Sequence, residues 1–181
     1  MAARTVGNAA LDSLQRDTFG YFLDQANPEN GLVRDSTRQG APSSIAAVGF
    51  ALAAYTVGAE RRFIRRSEAV KRVLATLRFF RDSPQGEARN ATGYQGFFYH
   101  FLDMQTGRRA WNSEVSTIDT TFLIAGALAA ATYFDGQARD EREITRLADD
   151  LYRRVDWQWA RNDGLTVAHA WTPERGFLKA R

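Results

Sequence analysis

The spacing of apolar and polar residues along the chain predicts five helices. Three of them place apolar residues on one face and charged residues on the other, at the three- and four-residue spacing of an amphipathic helix. The other two are apolar around their whole circumference along most of their length. A helix of this second kind has to be covered on every side. The five predicted segments are, in chain order, 9–25, 44–57, 67–82, 117–134 and 140–155.

The two kinds of helix alternate along the chain, beginning and ending with an amphipathic helix. This order is compatible with two architectures. In the first, the two apolar helices are the buried pair of a small bundle. In the second, every second helix belongs to an inner ring and the helices between them form an outer wall. Both apolar helices are rich in alanine and glycine, which allows neighbouring backbones to approach closely.

Two segments outside the helices have the composition of strands. Aromatic residues dominate 93–103 and a turn sequence follows at 105–107, so a short β-hairpin is expected there. A second short strand is expected at 167–171. The loops at 27–43 and 83–116 are long, and long loops in a compact domain are usually functional or disordered.

Composition acts mainly by excluding classes of protein. The 181 residues are 44% apolar and 25% charged with a net charge of +3, which excludes global disorder. The absence of cysteine excludes disulfides and a cysteine nucleophile, and two histidines are too few for a polyhistidine metal centre. Neither a metal nor another cofactor is indicated. The basic run at 61–66 is too short to predict nucleic-acid binding, and no apolar stretch reaches the roughly 18 residues of a membrane span.

The densest group of candidate catalytic residues lies at 111–122. Glu114 precedes the fourth helix, and Asp119 falls in its first turn. Cleavage of a glycosidic bond uses a pair of carboxyl groups, because one protonates the leaving oxygen while the other activates water or attacks directly. The alternative for Asp119 is structural, since Ser116 and Asp119 have capping-box spacing and the helix dipole favours an acid there. The two roles are compatible. The alternative for Glu114 is a solvated loop residue.

Several aromatic and charged residues are candidates for binding a sugar. Flat aromatic rings pack well against the C–H faces of sugar rings. The aromatic candidates are Tyr94, Trp111, Trp159 and Trp171. For the tryptophans the alternative is a role in the core or in a hydrophobic lid. In the loop after the first helix, Arg34 and Asp35 can bind hydroxyl groups through charge-assisted hydrogen bonds. His100 and His169 are interpreted as structural residues.

Six segments, spread in order over nearly the whole chain, resemble the bacterial glucoamylase-like family. This family is related to glycoside hydrolases and to enzymes that process β-1,2-glucans. The most specific segments are Ser-Glu-Val-Ser-Thr-Ile-Asp-Thr at 113–120 and Val-Asp-Trp-Gln-Trp at 155–159. The remaining similarity lies at 14–22, 31–35, 44–52, 121–126 and 171–177.

The resemblance implies an all-α fold, an α/α toroid of six helical hairpins with sugar bound in a central cleft. It implies a glycoside hydrolase or transglycosidase that acts on a glucan, with β-1,2-glucan as a candidate and an oligo- or polysaccharide as partner. Asp119 and Glu114 are then residues of the cleft that bind substrate or take part in catalysis, and Asp35 and Trp111 contact the sugar. A periplasmic or secreted location is expected, although no signal peptide is visible. The alternatives are a non-catalytic carbohydrate-binding or interaction module and an inactive truncated fragment.

Five helices are too few for a double ring of twelve, which would need on the order of 400 residues. The segment 1–181 is therefore expected to be a single partial domain, the N-terminal portion of a larger toroid. Its relatives continue into a region that supplies a further acidic residue. The flank of the inner helices is then expected to be exposed and to promote self-association, because large apolar patches are rarely left in water.

Overall fold

The computed structural model describes residues 2–178, which form six helices and seven short strands. The helices are α1 (Ala2–Asp24), α2 (Ile45–Glu60), α3 (Arg66–Asp82), α4 (Thr117–Tyr133), α5 (Arg139–Arg154) and α6 (Trp157–Arg161). The strands are β1 (Ser43–Ser44), β2 (Gly93–Tyr94), β3 (Phe97–Tyr99), β4 (Phe101–Leu102), β5 (Val115–Ser116), β6 (Ala170–Thr172) and β7 (Gly176–Phe177). All five predicted helices are present, and the chain is helix-rich with a small sheet.

The β structure is larger than the predicted hairpin and single strand. Five strands form one antiparallel sheet in the order β2-β3-β5-β6-β7, and β1 pairs with β4 in a second, two-stranded sheet. The strand expected at 93–103 is divided into β2, β3 and β4, and the chain already turns at 95–96 between β2 and β3. The turn expected at 105–107 is flanked by a single bridge between Leu102 and Arg109. The strand expected at 167–171 begins at Ala170. The five-stranded sheet joins segments that lie far apart in the chain. No local pattern could reveal such pairing.

The two apolar helices, α2 and α4, pack directly against each other through glycine. A Cβ atom added to Gly49 would lie 2.3 Å from the carbonyl oxygen of Phe122, and one added to Gly126 would lie 2.1 Å from that of Gly49. Any side chain at either position would push the helices apart. The rings of Phe50 and Phe122 meet beside this contact at 5.3 Å. We call these helices the α2–α4 pair.

The amphipathic helices α3 and α5 contact each other, and both contact the α2–α4 pair. Another face of the pair is apolar and exposed in the part of the chain that the structure describes. Phe50 is 52% exposed, Ile118 56% and Phe122 41%. The sequence predicted an exposed apolar flank, and that these helices belong to an inner ring stays a prediction. Self-association through this face stays a prediction.

Both helices of the pair begin at the β structure. β1 leads directly into α2, and β5 leads directly into α4. The N–H of Ile45 donates to the carbonyl of His100 at 3.2 Å, and the N–H of Thr117 donates to the carbonyl of His169 at 3.3 Å. Both helix N-termini, each the positive end of a helix dipole, are therefore anchored to backbone that carries a histidine. Within residues 2–178, no helix has the combined length and hydropathy needed to cross a membrane.

Candidate active site

Three titratable side chains meet beside the first turn of α4. His100 follows β3, Glu114 precedes β5, and Asp119 lies in the helix itself. The Nδ1 atom of His100 lies 3.0 Å from Oε1 of Glu114, and its Nε2 atom lies 3.8 Å from Oδ2 of Asp119. The structure thus places the two predicted catalytic carboxylates at the two nitrogens of one imidazole.

His100 and Glu114 are neighbours because their segments pair in antiparallel register. Phe98 is paired with Ser116 in this ladder. Two residues further along each strand, the backbone N–H of His100 donates to the backbone carbonyl of Glu114 at 2.8 Å. Paired residues of an antiparallel ladder project to the same face. The side chains of His100 and Glu114 therefore meet on the face that Ser116 shares.

Asp119 is held by the N-cap of α4. The hydroxyl of Ser116 accepts a hydrogen bond from the N–H of Asp119 at 3.2 Å and donates to its carboxylate. The predicted capping role is therefore confirmed. It also fixes the carboxylate beside His100 with 15% of the side chain exposed. Capping and a role in the site are compatible at this position.

The electrostatics of the cluster favour a charged imidazole. The hydrogen bond that His100 donates to Glu114 raises the pKa of His100, burial opposes this, and the charges of Asp119, Glu114 and Asp35 add to the rise. The same hydrogen bond lowers the pKa of Glu114 although burial opposes it. Both shifts act in the same direction and favour the pairing of an imidazolium with a carboxylate.

A row of aromatic rings leads from the carboxylates to solvent. The imidazole of His100 stacks on Phe101 with centroids 3.9 Å apart and an interplanar angle of 17°. Phe101 in turn contacts Trp111, with centroids 5.3 Å apart. Trp111 is 70% exposed. A large indole that is linked through Phe101 to His100, and is free on most of its surface, is suited to receive a ring-shaped ligand.

The loop that presents Trp111 has an unusual backbone and a buried support. Trp111 and Asn112 both have left-handed φ values, 55° and 54°, which surrounding contacts must maintain in residues other than glycine. Arg109 donates to the carbonyls of Ser113 at 2.6 Å and Asn112 at 2.9 Å. Its side chain is 2% exposed and pairs with Glu174 at 2.8 Å. A buried arginine therefore holds the loop in shape.

Of the two candidates after α1, Asp35 acts on the cluster. Its charge contributes to the raised pKa of His100, and its N–H donates to the carbonyl of Pro42 at 2.8 Å. Arg34 precedes it, and its carbonyl accepts a hydrogen bond from Tyr21 at 2.6 Å. Arg34 lines a separate polar depression that also contains Asp24.

The remaining aromatic candidates form a cluster of their own. Tyr94 stacks on Trp171 with centroids 4.5 Å apart, and Trp159 contacts both, at 5.3 Å and 5.8 Å. Trp171 is paired with Val115, which is flanked in sequence by Glu114. Because successive residues of a strand point to opposite faces, this aromatic cluster lies on the face opposite to that of His100 and Glu114. The structure does not bring these three rings to the carboxylates.

Sequence reasoning did not select two residues that organise the site. His100 was interpreted as a structural histidine, and Arg109 was not singled out. The alternation of His100 with Phe98 was visible, but not the pairing of its strand with the segment that carries Glu114. Among residues 2–178, no group of three histidine, aspartate or glutamate residues is placed to hold a metal ion.

Comparison with known proteins supports the class that the sequence suggested, a helix-rich fold of the kind found in glucan-processing proteins. No family model matches the chain. The chain is 30% identical over 177 residues to an exo β-1,2-glucooligosaccharide sophorohydrolase (non-reducing end) of Parabacteroides distasonis, with 93% of this chain and 23% of that protein covered. The predicted resemblance is thereby confirmed.

Two solved structures share the fold. A β-1,2-glucanase from Parabacteroides distasonis matches with a TM-score of 0.82 and 28% identity, over 92% of this chain and 24% of that one. A glucoamylase-like protein from Bacteroides uniformis matches with a TM-score of 0.79 and 29% identity, over 90% and 39%. The chain spans less than a quarter of the length of the curated sophorohydrolase. The likeness therefore applies to the helices and sheets described above.

Proposed function

We propose that the protein supplies part of the substrate-binding and catalytic site of a glycoside hydrolase or transglycosidase that acts on a glucan. The substrate class is a β-1,2-linked glucose oligosaccharide or polysaccharide, as in the names of the relatives. The observation that carries the proposal is the placement of Glu114 and Asp119 at opposite nitrogens of His100, beside the exposed ring of Trp111.

The two carboxylates suit different steps of glycosidic-bond cleavage. The group that protonates the leaving oxygen needs a raised pKa, whereas the pKa of Glu114 is lowered by its hydrogen bond with His100. We therefore assign Glu114 to the binding of hydroxyl groups and to stabilising the positive charge that develops on the sugar ring. Asp119, at the helix N-terminus, is the candidate for direct participation in bond cleavage.

The aromatic and acidic neighbours suit sugar recognition. The ring of Trp111 provides a flat apolar surface for one face of a glucose unit. Asp35 provides further acceptor oxygens on the side of the loop after α1. We assign both to substrate binding and leave Tyr94, Trp159 and Trp171 to support of the sheet.

The same proposal includes the α/α toroid and the partial domain. The toroid is supported by the α2–α4 pair, in which two apolar helices lie side by side with their N-termini anchored at the β structure. Its further support is the uncharged exposed face that carries Phe50 and Ile118, which further helices of a ring would cover. A periplasmic or secreted location also stays a prediction.

The binding arm of the proposal can be tested on the chain itself. The chain has four tryptophans, and their indole N–H signals can be followed by NMR while a β-1,2-linked glucotriose is added. The expected result is a shift of the Trp111 signal with little change at Trp159 and Trp171. A β-1,4-linked glucotriose is the matched control. Identical responses to both sugars, or none to either, would contradict the proposed substrate class.

The catalytic arm requires a measurement of new reducing ends from β-1,2-glucan. Asp119→Asn is expected to abolish release while the sugar-induced shift of Trp111 persists. Asp140→Asn is the control, because Asp140 lies in the first turn of α5 and outside the site. Full activity of Asp119→Asn would remove Asp119 from the chemistry.

A second candidate function is sugar binding without cleavage. The observation that favours it is the lowered pKa of Glu114, which makes this carboxyl group unsuited to donate a proton. Specific binding of the β-1,2-linked sugar with no release of reducing ends would decide for this second function.

A further inference from the structure

We infer that His100 is a positioning residue of this site, whose imidazolium bridges Glu114 and Asp119 and holds both carboxylates beside the ring of Trp111. The inference rests on the proposed function for its purpose. The contacts on which its geometry depends are the same whether or not the protein cleaves a glucan.

Each ring nitrogen of His100 faces a carboxylate. Nδ1 is at hydrogen-bond distance from Glu114, 3.0 Å, and Nε2 is at ion-pair distance from Asp119, 3.8 Å. A neutral imidazole has one N–H and one lone pair. Its lone pair would have to face one of the two carboxylates, which is unfavourable. Only the doubly protonated ring presents a positive N–H to both.

Two backbone hydrogen bonds and one aromatic stack hold His100 in place. Its backbone N–H donates to the backbone carbonyl of Glu114, and its backbone carbonyl accepts from the N–H of Ile45 at the start of α2. Phe101 covers one flat side of the ring by stacking at 3.9 Å. The side chain therefore bridges the sheet and the first turn of α4 as a fixed element.

The charged groups around His100 come from three segments. Glu114 precedes β5, Asp119 lies on α4, and Asp35 lies in the loop after α1; all three raise the pKa of His100, and burial opposes them. Among the positive groups, His169 lowers the pKa of Glu114, and the N-termini of α2 and α4 face the same region. The acids outnumber the imidazole, so the balance favours the bridging cation.

The bridge fixes which carboxylate oxygens remain free. Glu114 uses one oxygen on His100, and Asp119 turns one oxygen toward His100 and the hydroxyl of Ser116. The other oxygens can accept hydrogen bonds from sugar hydroxyls. Loss of the proton from His100 leaves a ring lone pair facing one of the two carboxylates and weakens the bridge, so the affinity for the β-1,2-linked sugar is expected to fall.

The first experiment measures the bridge and does not depend on sugar. The chain has two histidines, so His169→Gln leaves one imidazole to follow by NMR between about pH 5 and about pH 8. The midpoint of His100 is expected above 6.5, its ordinary value. Glu114→Gln is expected to lower the midpoint. A midpoint at or below 6.5, or one that Glu114→Gln leaves unchanged, overturns the bridge.

The second experiment tests whether the bridge supports sugar binding. It measures the affinity of the chain for β-1,2-linked glucotriose by calorimetric titration over the same pH range. The affinity of the unchanged protein is expected to fall as pH rises through the midpoint of His100. His100→Gln keeps a donor near the position of Nε2 but cannot titrate, so its affinity is expected to be constant with pH. A purely structural role would weaken binding equally at every pH.

The outcomes separate the two proposals. Should His100→Gln fail to fold by circular dichroism, Glu114→Gln answers the same question, since the lowered midpoint of His100 should move the pH dependence of the affinity to lower pH. Affinity of the unchanged chain that does not vary through the midpoint overturns the positioning role. A chain that binds no β-1,2-linked sugar at any pH overturns the proposed function and this role with it, while the imidazole titration still decides on the bridge.

Discussion

The two faces of the five-stranded sheet are built from the same strands but have opposite chemistry. On one face, Tyr94 and Trp171 stack on each other and Trp159 packs against both. On the other, His100 and Glu114 form an ion pair at the edge of the first turn of α4. Residues that adjoin in sequence, such as Glu114 and Val115, therefore belong to different environments.

The difference shows how to distinguish a packing tryptophan from a ligand-binding one. Trp171 has aromatic partners on more than one side and is partly buried. Trp111 contacts Phe101 at one side and is 70% exposed, in a loop that Arg109 holds in a left-handed conformation. A ring whose contacts are complete stabilises the fold, whereas a supported ring with an open surface is available to a ligand.

The largest expected effect is on the packed face. Trp171→Ala should lower the free energy of unfolding by about 3 kcal/mol, the low end of the range for removing a large aromatic ring, because the indole is only partly buried. Urea unfolding followed by circular dichroism measures this loss.

Trp171→Phe is the control for Trp171→Ala, because it keeps an aromatic ring on Tyr94 and should recover most of the stability. The comparison between the faces would fail if Trp171→Ala were as stable as the unchanged chain and instead lost its affinity for the sugar.

The second prediction is that removing the ring of Trp111 lowers the affinity for sugar and leaves the stability unchanged. Trp111→Ala should leave the free energy of unfolding unchanged within about 0.5 kcal/mol, because the ring is exposed and alanine keeps the Cβ atom at this left-handed position. Affinity for the β-1,2-linked glucotriose should fall about tenfold, which corresponds to about 1.4 kcal/mol. Calorimetric titration provides the measurement, and Trp111→Phe should recover part of the loss.

The contrast also shows what the sequence could and could not predict. The five long helices were predictable, because the apolar spacing of segments such as 67–82 is local and strong. The capping of Asp119 by Ser116 was predictable for the same reason, since both residues lie within one helical turn. An exposed apolar flank was expected because 45–57 and 122–131 carry no charge and five helices are too few to cover them in a complete ring.

The organisation of the site was not predictable in the same way. His100 faces Glu114 because β3 pairs with β5 in this register, and Trp171 faces away because it is paired with Val115, the neighbour of Glu114. These pairings are long-range and occupy only two or three residues in each strand, too few for a period-two pattern. The tryptophans could therefore be named as candidates but not assigned to one face of the sheet.

The third prediction concerns Ser116, the N-cap residue at which β5 leads into α4. Ser116→Ala removes the N-cap hydroxyl, which accepts from the N–H of Asp119 and donates to its carboxylate. The expected loss is about 1 kcal/mol in the free energy of unfolding. Ser116→Thr should restore it. If the cap also orients Asp119, Ser116→Ala should lower the release of reducing ends by more than its stability loss explains.

The smallest expected effect is the pH dependence of the ion pair. The raised pKa of His100 contributes stability that is present below 6.5 and lost as pH rises through its folded value. The lowered pKa of Glu114 contributes stability that is present above 4.5 and lost as pH falls through its folded value. The stability difference between the unchanged chain and Glu114→Gln should therefore be largest between 4.5 and 6.5.

This difference should be about 0.5 kcal/mol, because His100 and Glu114 are 29% and 33% exposed and solvent weakens their attraction. Glu143→Gln is the matched control, since Glu143 pairs with Arg78 at 2.7 Å on the helical side of the molecule. Arginine stays charged as pH rises, so the Glu143→Gln difference should not decline above 6.5. If both differences changed in parallel above that pH, the loss could not be assigned to the proton of His100, and the face of the sheet that carries it would have no distinct response to pH.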